Sequence, residues 1–484
     1  MLIFVIWGRI IYYLMSKWVN DNQYLSSLKD YKIQGNVEEF NVEINDLLEI
    51  NKEINPLLDE IRSSEYFRIF KVNFDSECNF WTQNKICSFS TCTICSCDEE
   101  EIPLPWKQDS FKDTVDKNFQ SEFFSQLVSK YNYSSSEWLV ESEIDNKNGI
   151  YVNLLKNPET WTGYQGKKIW EAIYNENCFG GKDLNQMCLE ERLFYKVVSG
   201  LHSNINLHLS YNFLKNDIKE KNETSFNNDT YNSLDYTINA TMVRDRILNY
   251  NERVNNLFFL YSVVMRSLEK SEKTVRKYKI ETGSNDLDSV ISSKLNAFYT
   301  KFKSLDNVKY LLKEVKQNKL FKQFISYDQL DELKMRFRNI SSIIDCVGCQ
   351  KCKLHGKLQM YGLATMLKIL IEPKDEIPLK RNELIAYINL ASKICRSVDH
   401  LVEILEITER EKSLFKYKVY FGIFVYIILI LLINLYFYKT GQFKRGIAEI
   451  SNRKIIYPKK VVKGKENKLE TSYIESEPIK QKKD

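Results

Sequence analysis

The residue pattern with the clearest chemical potential is a Cys-x-x-Cys pair, Cys349 and Cys352, three residues after Cys346. Apolar residues follow it at three- and four-residue steps from Leu354 to Leu370, which predicts a helix that begins at the pair. A helix N-terminus stabilises a thiolate, the form that attacks a disulfide or gives electrons to a flavin. Zinc knuckles and structural disulfides use the same spacing, so we favour a redox dithiol while these two alternatives remain open.

The helix predicted after the pair contains several small residues. Gly356, Gly362 and Ala364 stand between its apolar positions. Because small residues leave the backbone accessible, we expect a flat group to approach this helix.

The segment around the pair, residues 345–359, closely resembles the active-site segment of the endoplasmic reticulum oxidoreductins, flavin-dependent thiol oxidases of the ER lumen. Other segments resemble the family in the same order: Cys78 to Trp81 with Cys87, Cys92 and Cys97; Asn157-Pro158-Glu159; Thr162-Gly163-Tyr164; Trp170; Glu176 to Phe179; Cys188 to Glu190; and Ser199 to His202. The resemblance covers most of residues 70–371. It departs at two positions, since the family usually has Arg at Thr160 and Trp at His355.

The resemblance implies an order of electron transfer among the cysteines. Cys349 and Cys352 would be the pair beside the flavin, and Cys87 and Cys92 the shuttle pair on a loop. A loop is needed because a protein-sized dithiol cannot reach a buried flavin, so electrons must move inward by thiol–disulfide exchange. The acidic run 98–101 next to this loop should disfavour thiolates there.

The resemblance also implies two structural disulfides, Cys78–Cys346 and Cys178–Cys188. Three of the eleven cysteines then remain, namely Cys95, Cys97 and Cys395. We hypothesise that Cys97 is regulatory and that a Cys92–Cys97 bridge is an inactive form that exchanges with Cys87–Cys92. Zinc binding by the loop cysteines is the alternative.

FAD is the cofactor that the resemblance implies, with no metal. The positions that match family contacts to FAD are Thr160, Thr162, Trp170, Ser199, His202, Arg253 and Arg266. Thr160 lacks the charge of the usual Arg, so we expect Lys167 or Lys168 to replace it. Arg253 and Arg266 would be about 20 Å apart on one helix, so we favour Arg253 for the pyrophosphate.

Composition favours a mainly α fold, and the resemblance implies a single helical flavin-binding domain over residues 21–410. The 484 residues include 16 Gly and 8 Pro, few for a turn-rich β fold. Residues 246–268 have the spacing of an amphipathic helix. We also predict a cysteine-rich shuttle loop over 78–105 and a mobile Asn-rich insertion over 214–241. A Rossmann flavin site is not expected, because the sequence has no Gly-x-Gly-x-x-Gly motif.

Both ends of the chain are apolar. Residues 1–20 predict a signal peptide or signal anchor. Residues 419–438 contain no charged residue, which predicts a C-terminal transmembrane helix. The tail, residues 439–484, has 13 Lys or Arg against 6 Asp or Glu, a net +7 that belongs in the cytosol. The preceding part would then lie in the oxidising lumen, together with five glycosylation sequons at Asn132, Asn222, Asn228, Asn239 and Asn339.

These expectations describe an ER-membrane thiol oxidase. Reduced protein disulfide isomerase would be the electron donor and O2 the acceptor, with peroxide as product; no nucleic acid is expected. The alternative is a disulfide-stapled or zinc-binding type I membrane protein with a structural or receptor role. A dithiol reductase is a third possibility, but no thioredoxin-like β-α-β pattern surrounds either pair.

Overall fold

The computed structural model describes residues 44–76, 78, 80, 92–107, 149–161, 166–177, 187, 189–214, 236–248, 251–317, 330–371 and 377–440. Within these ranges the chain is mainly α-helical, which confirms the predicted class. The helices are α1 Ile44–Arg62, α2 Glu65–Arg68, α3 Leu104–Lys107, α4 Gly166–Glu176, α5 Leu189–Tyr211, α6 Ala240–Val243, α7 Asn251–Arg276, α8 Asn285–Ser304, α9 Asp306–Gln317, α10 Leu330–Ile344, α11 Gln350–Ile371 and α12 Arg381–Lys439. A 3-10 turn covers Glu99–Glu101 and a π-helical turn covers Arg244–Leu248.

Two short antiparallel sheets join the helices. Strands β1 (Ile69–Val72) and β2 (Ile150–Asn153) pair along their length, and β3 (Phe213–Leu214) pairs with β4 (Tyr236–Thr237). The β-branched and aromatic residues of β1 suit a buried strand. Of the predicted insertion, 214–241, most lies outside the described residues; at its end the structure describes β4 and the start of α6.

Helix α7 lies at the centre of the helical core. Its four consecutive residues Phe258 to Tyr261 are all buried, so the helix is covered on every side and not along one stripe only. The boundaries predicted for it, 246–268, are shifted, because α7 begins at Asn251 and residues 244–248 form the π-helical turn.

The small residues of α11 face neighbouring helices, which overturns the expectation of a flat group at its backbone. A Cβ added to Gly362 would clash with the carbonyl oxygen of Ala386 and lie 2.7 Å from Cβ of Leu390, both in α12. A Cβ at Gly356 would lie 3.2 Å from Ile344 of α10. These glycines therefore permit close helix packing.

The chain divides into two compact units, Met1–Glu411 and Lys412–Asp484. In the second unit the apolar side chains of α12 are exposed, among them Phe421, Leu429 and Leu435. Within the described residues, α12 is the one helix long and apolar enough to cross a membrane, and its most apolar stretch is not buried in protein. The signal segment 1–20 and nearly all of the tail lie outside the described residues.

Candidate active site

The dithiol lies at the N-terminus of α11, as its sequence predicted. The helix begins at Gln350, directly after Cys349, and the N–H of Lys353 donates to the carbonyl of Cys349 (2.8 Å). Cys352 is then in the first turn. Cys349 is buried and Cys352 half-buried, so solvent has limited access to the pair.

A disulfide joins Cys346 to Cys78, the pairing that the resemblance implies. The two Cα atoms are 4.6 Å apart although 268 residues separate the cysteines in the chain. Next to it, the buried side chains of Asp345 and Lys357 form an ion pair across the turn before α11. The disulfide therefore holds the start of the cysteine-rich region, residues 78–105, beside the N-terminus of α11, the active-site helix.

One face of α11 binds residues 157–160, which we call the bridging segment. Cys352, His355 and Gln359 lie on this face because they are three and four residues apart. Their contacts are Cys352 Sγ to the carbonyl of Thr160 (3.7 Å), His355 Nε2 to the carbonyl of Asn157 (2.9 Å), and Gln359 Nε2 to Glu159 Oε1 (3.2 Å). At Thr160 the sequence predicted the loss of a flavin contact. In the structure the backbone carbonyl of Thr160 contacts Cys352 of the dithiol.

Behind the dithiol lies a buried charged group that the sequence did not predict. Lys393 of α12 forms an ion pair with Glu159, and its Nζ is 3.2 Å from His355 Nδ1. Burial opposes ionisation of Glu159, but the charge and hydrogen bond of Lys393, together with the influence of His355 and His208, outweigh it and lower the pKa of Glu159 to about 2. Burial, reinforced by Lys393, lowers the pKa of His355 to about 4. The imidazole is therefore neutral, with Nε2–H donating to Asn157 and Nδ1 accepting from Lys393.

On its other side the bridging segment holds the cysteine-rich region. The side-chain amide of Asn157 accepts from the N–H of Cys95 and donates to its carbonyl, both at 2.8 Å. The next residues run antiparallel to β2, since Ser96 forms a bridge with Val152 and the N–H of Cys97 donates to the carbonyl of Tyr151 (2.7 Å).

The three cysteines described in this region differ in exposure. Cys92 is buried, Cys95 exposed and Cys97 half-buried with a free thiol. Burial, with a further contribution from Glu101, raises the pKa of Cys97 to about 11. The acidic run therefore acts in the expected direction on Cys97, although burial has the larger effect.

A second cluster contains four of the predicted cofactor residues. The rings of Trp170 and His202 stack with centroids 3.8 Å apart, and the hydroxyl of Tyr174 is 3.1 Å from His202 Nδ1. Burial raises the pKa of Tyr174 to about 12, against the opposing influences of Ser199 and Arg253. Burial also lowers the pKa of His202 well below its usual value, assisted by Arg253 and Arg246. The structure thus brings Trp170, Ser199, His202 and Arg253 together.

Sequence reasoning missed two residues next to this cluster. Arg246 is half-buried, donates to Asn206 Oδ1 (3.1 Å) and lies over the ring of Trp161 (6.0 Å). Trp161 is buried, and its Nε1–H has no hydrogen-bond partner among the described residues. Their positions in the sequence could have indicated them, because Arg246 lies shortly before Arg253 and Trp161 directly follows Thr160.

Of the remaining predicted cofactor-site residues, the structure describes the side chains of Arg266 and Lys168. Arg266 is ion-paired with Glu269 further along the uninterrupted helix α7, and Lys168 is exposed. Cys87, Thr162, Cys178 and Cys188, and the side chain of Lys167, lie outside the described residues. Cys395 is fully buried in α12, remote in sequence from the other thiols.

The two clusters are connected through buried amides. Asn204, two residues after His202 in α5, donates to Gln359 on the dithiol face of α11. Gln359 in turn donates to Glu159. Helix α5 thus carries residues of the aromatic cluster and also contacts the dithiol face of α11.

Comparison with known proteins identifies relatives of this chain. A family model described as Endoplasmic Reticulum Oxidoreductin 1 (ERO1) matches residues 53–401. Endoplasmic reticulum oxidoreductin-2 of Arabidopsis thaliana is 34% identical over 385 residues, covering 75% of this chain and 76% of that protein. ERO1-like protein alpha of Bos taurus is 31% identical over 421 residues, covering 72% of this chain and 86% of that protein.

Solved structures agree with the sequence comparison. A mutant of S. cerevisiae Ero1p superposes with a TM-score of 0.51 at 26% identity, covering 76% of this chain and 98% of that chain. A second structure, of Ero1p described as the source of disulfide bonds for oxidative protein folding in the cell, also gives a TM-score of 0.51 at 26% identity. With a dithiol at a helix N-terminus inside the matched region, the chain belongs to the ERO1 family of endoplasmic reticulum oxidoreductins.

Proposed function

We propose that this chain is an FAD-dependent thiol oxidase of the ER lumen that reoxidises protein disulfide isomerase. Electrons pass from the reduced isomerase to Cys87–Cys92, then to Cys349–Cys352, then to FAD and finally to O2, which leaves as hydrogen peroxide. The observation that carries the proposal is the placement of Cys349 and Cys352 at the start of α11, with the cysteine-rich region fastened beside them.

The transfer between the pairs is thiol–disulfide exchange. A thiolate of the substrate attacks one sulfur of the outer disulfide, the S–S bond breaks and a mixed disulfide forms. The second substrate thiolate resolves it, so the substrate is oxidised by two electrons and the outer pair becomes a dithiol. The outer dithiol reduces the Cys349–Cys352 disulfide in the same way. A thiolate at the helix N-terminus is favoured by the backbone N–H groups there.

The residues of the aromatic cluster fit FAD. Arg246 and Arg253 provide positive charge near His202, as a pyrophosphate requires. The Nε1–H of Trp161 is buried and has no acceptor among the described residues, so it offers a hydrogen-bond donor to FAD. Trp170 stacks on His202, and an indole ring of this kind suits stacking with an aromatic ring of the cofactor. When bound, FAD accepts two electrons from a dithiol and passes them to O2.

Arg246 takes the place, in this proposal, of the charge that Thr160 cannot supply. It is half-buried beside Trp161, the residue that follows Thr160. Lys168, which we expected to compensate, is exposed. Arg266 is the weaker candidate because Glu269 already neutralises it.

We also propose that the catalytic unit faces the lumen and that residues 419–438 cross the ER membrane. The exposed apolar side chains of α12 support a span, because in water they would be unfavourable. Of the proposed sequons, Asn339 is buried in α10, which leaves no room for a glycan on the folded chain. Asn239 caps α6 by accepting from the N–H of Met242 (2.9 Å).

The alternative of a structural or receptor protein makes a different prediction for purified protein. A thiol oxidase is yellow and consumes O2 when a reduced dithiol is added, whereas a stapled membrane protein does neither. Membership of an oxidoreductase family favours the first.

Serine variants of the two pairs test the proposal. Cys349→Ser or Cys352→Ser should abolish O2 consumption with every reductant while flavin absorbance is retained. Cys87→Ser and Cys92→Ser should block oxidation of reduced isomerase but spare oxidation of dithiothreitol, which reaches the inner pair directly. Turnover that persists in Cys352→Ser would refute the inner-pair assignment.

A further inference from the structure

Asn157 makes an unusual set of contacts for a residue outside regular structure. Its side chain is fully buried, and its amide pairs with both backbone groups of Cys95. The second hydrogen of Nδ2 donates to the carbonyl of Asn153 (2.9 Å), which ties the amide to the end of β2. The side chain thus acts like a neighbouring β-strand for one residue of the cysteine-rich region.

The backbone of Asn157 faces the opposite way. Its carbonyl accepts from His355 Nε2, in the first two turns of the active-site helix. His355 is fixed in turn by Lys393, whose other partner is Glu159 of the same bridging segment. A single buried residue therefore contacts the cysteine-rich region through its side chain and the dithiol helix through its backbone.

We propose that Asn157 is a positioning residue that sets the cysteine-rich region against the N-terminus of α11, so that the outer and inner cysteine pairs meet in one geometry. This inference rests on the proposed function, because it assigns Asn157 to exchange between Cys87–Cys92 and Cys349–Cys352. Among the described residues, the side chain of Asn157 hydrogen-bonds to backbone atoms of Cys95 and Asn153, and we assign it no part in electron transfer itself. It fixes the backbone three residues after Cys92.

The contact pattern separates this role from a role for the Cys95 thiol. The thiol of Cys95 is exposed, and Asn157 holds only backbone atoms of that residue. Cys95→Ala should therefore leave the anchor intact, whereas Asn157→Ala removes both hydrogen bonds. Asn157→Asp, which keeps the acceptor for the Cys95 N–H and loses the donor groups, should have an intermediate effect.

The test compares two reductants on the full-length flavoprotein. Reduced protein disulfide isomerase must use the outer pair, and dithiothreitol can reduce the inner pair directly. In Asn157→Ala, kcat with the isomerase should fall about 10-fold, as expected for loss of buried hydrogen bonds, with KM unchanged. Turnover with dithiothreitol should be unaffected. Amide hydrogen exchange of the peptide 93–98 should become about 10-fold faster.

Asn389→Ala is the matched control for a general loss of stability. Asn389 is also buried, and its amide donates to the carbonyl of Ile385 within its own helix (2.9 Å). This variant should lower thermal stability and leave the ratio of the two turnover rates at the wild-type value. Should Asn157→Ala fold poorly, the same ratio is measured in Asn157→Asp.

Several results would overturn the inference. One is an Asn157 variant in which exchange of 93–98 increases while the ratio of isomerase to dithiothreitol turnover stays constant. Another is an equal change of this ratio in Asn389→Ala. Unchanged exchange of 93–98 in Asn157→Ala would overturn it without any activity measurement. A wild-type chain that oxidises neither reductant would instead refute the proposed function.

Discussion

A few side chains, those of His355 and its neighbours, determine the charge and the hydrogen bonding next to the dithiol. The imidazole is enclosed on α11 between the carbonyl of Asn157 and the ammonium of Lys393. Glu159 balances the charge of Lys393, so the group is buried without an uncompensated charge. The position that departs from the family's usual Trp is thus occupied by a side chain with both a donor and an acceptor, and both are used.

The buried histidine makes stability depend on pH. Its pKa is held near 4 in the folded chain, against about 6.5 when unfolded, so between these values the unfolded chain binds more protons. Its contribution to the free energy of unfolding is full above about pH 6.5 and is lost as the pH falls towards 4. His355→Gln should keep both hydrogen bonds and reduce this slope by up to about 1.4 kcal/mol per pH unit.

Denaturant unfolding at several pH values between 7 and 4 would measure this slope. Burial also lowers the pKa of His208 to about 4, so part of the acid sensitivity should remain in the variant. Cys95→Ala serves as the control, because it removes an exposed thiol and leaves the buried imidazole in place. An identical slope in wild type and His355→Gln would contradict the neutral, enclosed imidazole.

Cys97 is also a single residue with a proposed role of its own, because the regulatory bridge depends on its thiol. With its pKa raised to about 11, the thiol is protonated at neutral pH and attacks a disulfide slowly. We expect exchange between Cys87–Cys92 and Cys92–Cys97 to be slow for this reason. Cys97→Ala should shorten the lag before O2 consumption after addition of reduced isomerase, with Cys95→Ala doing less.

Stopped-flow oxygen measurements would resolve that lag. Glu101→Gln removes one of the influences that raise the pKa of Cys97 and should accelerate the approach to steady state. A lag that is the same in wild type and Cys97→Ala would exclude the regulatory bridge.

Site residues that belong to a recognisable motif could be predicted from the sequence. Residues whose role depends on contacts between remote segments could not. Cys349, Cys352 and His202 were found because motifs carry them. Lys393 was not, since its partner Glu159 lies 234 residues away and no local pattern connects the two. The contact between Asn157 and the backbone of Cys95 was equally inaccessible, because it depends on how two remote segments fold together.

At the scale of elements, sequence periodicity predicted helices well and their surroundings less well. The start of α11 was correct because the apolar repeat begins directly after the cysteine pair. Its glycines were misinterpreted, because a small residue shows that something approaches the backbone without showing what. In this protein Gly362 lets α12 pack closely against α11, and Gly200 lets α7 pack closely against α5.

Close helix packing gives a graded prediction for glycine substitutions. In Gly362→Ala the new methyl group meets the backbone of Ala386, which cannot move without shifting α12, so unfolding should become easier by about 1–3 kcal/mol. In Gly356→Ala it meets only the side chain of Ile344, and the loss should be smaller.

Gly422→Ala is the control for this series, because no atom lies within 4 Å of the added methyl group. Replacing glycine by alanine in an open helical position should be neutral or stabilising by about 0.5–1 kcal/mol. Urea unfolding of the three detergent-solubilised variants would rank them. A loss in Gly422→Ala equal to that in Gly362→Ala would show that packing is not the cause.

At the scale of the whole molecule, the proposed topology can be tested with intact microsomes. The net +7 of residues 439–484 favours a cytosolic tail. Added protease should therefore remove the tail after about residue 439 and leave the cysteine-containing unit protected. Detergent provides the control, since it should expose both parts. Protection of the tail together with digestion of the catalytic unit would reverse the orientation.

The disulfide between Cys78 and Cys346 has a consequence for the order of synthesis. The ribosome must add 268 more residues after Cys78 before its partner exists. At about 5–20 residues per second this takes roughly 13–54 s. Cys349 and Cys352 are themselves made only after Cys346, so an unfinished chain contains the outer cysteines without the inner pair. On the proposed electron path, a nascent chain therefore cannot oxidise a substrate through the inner pair before residue 352 of the 484 has been made.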